Sequence, residues 1–132
     1  MVINDLIVLK NLLKDTKLGK ISNEVLRAYL KLSVKLNEYN TAWEDKRRAL
    51  FEETAKTLGY NMQTLTEQQN NEIFNIAAPL LNDYLGTEVT DFDTHIFSWD
   101  DLFNFILNVD ENSALTTEQK TLLTTYLCAE EL

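Results

Sequence analysis

Asp91, Asp93 and His95 are the one group in this 132-residue chain whose types and spacing suggest chemistry. Alternate residues of an extended segment project from one face, so two carboxylates and an imidazole could offer oxygen and nitrogen ligands to a divalent ion. A helical calcium loop would add a turn glycine and a distal bidentate glutamate, and the corresponding downstream position here is Leu102. The same residues suit the solvated edge of a strand, where charge discourages pairing with a second sheet. The edge or interface reading asks less of the sequence, and no metal ligand set is assigned.

The other routes to chemistry are poorly supplied. Nucleophilic catalysis needs a base beside Ser, Cys or Thr and a third group that orients it. His95 and Cys128 are the only histidine and cysteine, and no orienting group is indicated. Cys128 reads more simply as a small buried hydrophobe and cannot form an internal disulfide. A phosphate-cradling loop needs clustered glycines, whereas Gly19, Gly59 and Gly86 stand alone. Lys46, Arg47 and Arg48 lie together, but phosphate contact requires a continuous positive surface. Glu44, Asp45, Glu52 and Glu53 surround the triplet and suit ion pairs within a helix. The expectation is a non-enzymatic chain with no catalytic residue, cofactor or metal, and with neither a small-molecule substrate nor a direct nucleic-acid partner.

The elements that would position these residues are mostly helical. Ile3, Leu6, Ile7 and Leu13 recur at helical spacing, and a lysine-rich turn around Gly19 follows. Ser22 is placed to cap a second helix, with Ile21 and Leu26 as a hydrophobic staple. Val25, Tyr29, Leu32, Leu36, Tyr39 and Trp43 then alternate steps of four and three, with Leu26, Leu30 and Val34 widening the seam. The seam falters from Glu44 to Arg48 and resumes with Leu50, Phe51, Ala55 and Leu58 before Gly59. One helix over about 22–58 would extend about 55 Å, more than a domain of this size needs for its own core. Tyr39 and Trp43 are therefore either internal core aromatics or, with Leu36, anchors of a subunit interface.

Shorter elements complete the chain. Thr66 with Gln69 opens a third helix ending at Gly86, which Pro79 should kink or divide. Thr87 to Phe92 is the candidate strand, paired with Tyr60 to Met62 in a small ribbon. Ser98 with Asp101 opens a helix to about Leu107, and Thr116 with Gln119 opens the last one. The fold class is mainly α: an N-terminal helical hairpin over 1–58, then an acidic helical part over 59–132, within a single domain.

Charge divides along the same line. Residues 1–60 carry eleven bases against eight acids, a net of +3, and residues 61–132 carry Lys120 against thirteen acids, a net of -12, which together give the total of -9. Such asymmetry argues for a charged partner or head-to-tail self-contact, and a solvated acidic face that merely keeps the protein soluble is the equal alternative. Asp91, Asp93, Asp100 and Asp101 are the acidic interface candidates. A hydrophobic fraction of 45% and a charged fraction of 25% are ordinary globular usage. No apolar run approaches the ~20 residues of a membrane span, and no secretory leader is evident, so a cytoplasmic location is expected.

The run KISNEVLRAYLKLSVKLNEYNTAWEDKRRALFEE, the GYN turn, LLNDYLGTEVTDFD, FSWDDL and the closing LTTEQKTLLTTYL resemble a group of small tailed-phage proteins of unassigned function. Pro79 departs from the uninterrupted third helix of that group. The resemblance implies a phage or prophage origin and a structural or assembly role through protein–protein contacts, in the host cytoplasm or the virion. The alternative is a host-directed inhibitor, an anti-defence or nucleic-acid-mimic protein whose acidic half occupies a basic site. The group has no agreed catalytic residues, so none is carried over.

Overall fold

The computed structural model describes residues 1–131, which form five helices: α1 (Ile3–Leu13), α2 (Asn23–Thr57), α3 (Glu67–Leu85), α4 (Trp99–Ser113) and α5 (Thr117–Leu127). Helix starts follow the local signals. The Ser22 hydroxyl accepts the Val25 N–H at 3.3 Å, and the Ser98 hydroxyl accepts that of Asp101 at 3.2 Å. Thr66 with Gln69 and Thr116 with Gln119 form reciprocal capping boxes. α2 is capped at Leu58, and Gly59 follows with φ 75°, a left-handed conformation that suits a residue without Cβ.

α1 is the axis of the core. Ile3, Leu6, Ile7, Leu9 and Leu13 are all buried, so the helix is covered around most of its circumference. Val25, Leu32 and Leu36 of α2, Leu102, Phe105 and Val109 of α4, and Leu123 and Leu127 of α5 close around it. Phe105 sits at the centre, with its ring centroid 5.6 Å from that of Tyr29 and 5.3 Å from that of Phe97. The N-terminal helical hairpin is thus completed by the last two helices. The loop before α2 is pinned to α4, where the Gly19 N–H donates to Asn108 Oδ1 at 2.9 Å. A Cβ at Gly19 would lie 3.1 Å from Asn112 Nδ2, which makes this close approach favour glycine.

Beyond Leu36 the long helix leaves this core. With 35 residues it extends about 52 Å, and α3 returns along its far half to form a two-helix arm. Ile73, Ala77 and Leu81 are buried on α3, and Thr54 and Ala55 are the buried positions of α2 in this region.

Three details differ from the sequence-based expectations. α3 runs unbroken through Pro79, which lies exposed while Ala77 and Leu81 on either side of it are buried and hold the helix to its neighbour. α4 continues past Leu107 to Ser113, because Val109 extends the buried spacing of Leu102 and Phe105 by a turn. Thr87 to Phe92 forms no strand with Tyr60 to Met62. Instead Glu88 makes a single antiparallel bridge with Val2, and the Val89 N–H donates to the Met1 carbonyl at 3.0 Å. The Tyr60 N–H is taken by Ala55 in the turn that closes α2, at 2.8 Å, which removes the expected partner. A second bridge, Phe97 with Cys128, is parallel and fastens the end of α5 to the start of α4. No helix among the described residues is long and apolar enough to cross a membrane.

Candidate interaction surface

The two-helix arm carries apolar side chains on more than the face it buries. On α3, Phe74 is 56% exposed, Ile76 46% and Leu80 51%, although each lies one residue from a position that faces α2. Two helices alone bury one stripe each, and the side chains flanking those stripes find no third element to cover them. Phe74 and Leu81 join Phe51 and the Glu44, Arg47 and Arg48 side chains around a groove of about 480 Å³. On the other flank, Ile76 and Leu80 join Leu50 and Leu58 around a cavity of about 200 Å³.

Charge borders the first groove. Arg47 pairs with Glu44 at 2.7 Å and Arg48 with Asp45 at 3.5 Å, both one helical turn apart. These pairs are exposed and contribute little stability. α3 has acidic residues Glu67, Glu72 and Asp83 and no base, and its contribution to the groove is the apolar pair Phe74 and Leu81.

The aromatic residues of the seam serve the monomer. Trp43 stacks on Tyr84 with centroids 6.0 Å apart and an interplanar angle of 10°, and Lys46 Nζ lies 6.0 Å from the same Tyr84 ring. Leu36 is only 2% exposed and belongs to the core, so this interface candidate is unavailable to a partner while the chain is folded. The Tyr39 hydroxyl donates to the Asp91 carboxylate, across 52 residues of sequence. That bond, with burial and the Asp91 charge adding to it, pushes the Tyr39 hydroxyl up to about 12. It also holds the Asp91 carboxyl below its ordinary value.

Asp91, Asp93 and His95 do not converge. Asp91 turns to Tyr39, while Asp93 Oδ1 accepts the His95 backbone N–H at 3.0 Å and meets His95 Nδ1 at 2.7 Å. These two contacts hold the Asp93 carboxyl below its ordinary value, the backbone N–H most strongly. The other ring nitrogen of His95 lies 3.1 Å from the Thr125 carbonyl, and Cys128 is buried in the core. Chemistry-bearing residues are therefore engaged in holding the α3–α4 connection to α2 and α5.

Asp100 is exposed and Asp101 half-buried on the first turn of α4. They share that helix with a second apolar stripe, Trp99, Phe103 and Leu107, at 39%, 62% and 49% exposure. A third stripe, Leu26, Leu30 and Val34, lies outside the buried seam of α2 at 37%, 52% and 58%. Helical spacing places all these residues on amphipathic helices, and an apolar side chain one step off the seam is the signal that separates exposed from buried positions. No protein-family model, curated protein or solved structure matches this chain.

Proposed function

We propose that this chain is a non-enzymatic structural or assembly protein that acts through protein–protein contacts, of the phage kind implied by its sequence resemblance. The observation that carries the reading is the arm, whose α3 leaves Phe74, Ile76 and Leu80 half-exposed on both flanks of a two-helix projection. Contiguous exposed apolar patches rimmed by charge commonly mark interaction sites, because water contact with them is unfavourable until a partner covers them. The engaged state of His95 and the burial of Cys128 support the non-enzymatic part of the reading.

Co-expression with the virion and assembly proteins encoded beside its gene tests this. A stoichiometric complex that survives purification is expected, and Phe74→Asp with Leu80→Asp should abolish it without loss of helical content. Failure of every such protein to bind, or binding indifferent to the arm, refutes the reading. A second reading, the acidic inhibitor of a basic host site, is favoured by α3 and α4, which carry seven acids and no base. It expects salt-sensitive binding to a basic protein that weakens when Asp100 and Asp101 are reversed.

A further inference from the structure

α3 carries more apolar surface than its neighbours cover. From Ile73 to Leu85 the only amides and acids are Asn75, Asn82 and Asp83, so at about 3.6 residues per turn apolar side chains occupy more than half of the helix circumference. α1 shows what such a helix needs: α2, α4 and α5 close around it, and Ile3, Leu6, Ile7, Leu9 and Leu13 are all buried. α3 packs mainly on α2, with a minor contact to α1, and Phe74, Ile76 and Leu80 stay about half-exposed. Among the described residues no further helix lies along it.

The flank beside Phe51 is built like the centre of an interface. Phe74, Ala78, Leu81 and Leu85 follow one another in steps of four, three and four, a heptad seam free of charge. With Phe51 of α2, Phe74 and Leu81 line the groove of about 480 Å³, and Glu44, Arg47 and Arg48 form its rim. An apolar centre inside a polar rim is the usual anatomy of a protein–protein contact. The rim charges cancel, because Arg47 pairs with Glu44 and Arg48 with Asp45. A strongly acidic or basic partner gains nothing there, whereas a copy of the same surface meets no net repulsion.

Size narrows the occupant. The arm face is about 28 Å long, the length of α3, and about 20 Å wide, the breadth of two helices. Two such faces laid together remove roughly 1,100 Å² from water, which clears the ~1,000 Å² that a specific contact needs. A single helix on the same face would bury about half as much and fall short. The arm is itself a hairpin of the required breadth. We infer that the arm of a second copy covers the Phe74 flank, so that two helical hairpins complete a four-helix bundle. This rests on the reading of the arm as the interaction surface and names the partner of one flank, while Ile76 and Leu80 on the other stay free for an assembly protein.

The experiment is sedimentation equilibrium of the full chain at up to about 100 µM, where a contact with a Kd of ~10 µM is mostly formed. The wild type is expected as a dimer, weakened at least tenfold by Phe74→Asp and left intact by Leu80→Asp. Phe74→Ser puts the same question without adding charge, should the carboxylate disturb folding. Hydrogen exchange across Glu67–Leu85 should slow as concentration rises, while that of Thr117–Leu127 holds constant. A monomeric wild type, an open-ended polymer, or a dimer that survives both Phe74 changes or is lost in Leu80→Asp overturns the inference. A monomer that still binds an assembly protein leaves the proposed function standing, and a dimer that binds none overturns that function alone.

Discussion

Trp43 and Tyr84 stack nearly parallel, 10° from coplanar with centroids 6.0 Å apart, and this contact joins the middle of the longest helix to the end of α3. It lies where α2 leaves the main core, so it closes the base of an arm that has only one further layer. The arm's stability therefore depends on few contacts.

Trp43→Ala is expected to loosen α3 selectively. Removal of a half-buried indole and its stack should cost about 1–2 kcal/mol. Hydrogen exchange should quicken across Glu67–Leu85 while the amides of α4 and α5 stay protected. Uniform loss of protection across the chain would show that the arm is not a separate unit.

The Tyr39–Asp91 bond carries a pH dependence at both ends of the scale. Tyr39 titrates at about 12 in the folded chain against an ordinary 10.0, so its contribution is complete below pH 10.0 and is lost as pH rises through about 12. Asp91 is held below its ordinary 3.8, so its contribution is present above that value and lost as pH falls through the lower folded one. The Tyr39 ring resonance should titrate near 12 in the wild type and move back toward 10.0 in Asp91→Asn. An unchanged midpoint in that variant would show the bond to be absent in solution.

Thr94 is fully buried, and its hydroxyl donates to the Tyr126 carbonyl at 2.6 Å. Thr94→Val keeps the shape and strands that carbonyl, at an expected cost of about 1–3 kcal/mol in urea unfolding. Thr94→Ser should retain most of the stability. Unchanged stability in Thr94→Val, with the loss confined to Thr94→Ser, would assign the effect to the methyl group instead.

Ala114 follows α4 in the left-handed region, with φ 47°. A Cβ there is strained by about 1 kcal/mol, so Ala114→Gly should raise the unfolding midpoint despite the added freedom of the unfolded chain. A lower midpoint would contradict this account.

Helix starts were readable because they are local: Ser22, Thr66, Ser98 and Thr116 each satisfy N–H groups within three residues. The length of α2 was readable for the same reason, since no Gly or Pro interrupts Ser22 to Leu58. Pro79 misled because its cost is local while the packing of Ala77 and Leu81 that outweighs it is not. The candidate ribbon failed similarly, since extended segments choose partners by tertiary proximity, and Val89 meets Met1.

By itself, then, the sequence determined a mainly helical chain, its long second helix and the contrast between a basic first half and an acidic second. These depend on residue type and on spacing within a turn or two. Tertiary structure alone decided that Leu36 is core and Phe74 exposed, that Asp91 serves Tyr39 and leaves Asp93 to His95, and that the loop before α2 is pinned to α4. Periodicity marks which side of a helix is apolar, but the elements packed against it determine how much of that side is covered.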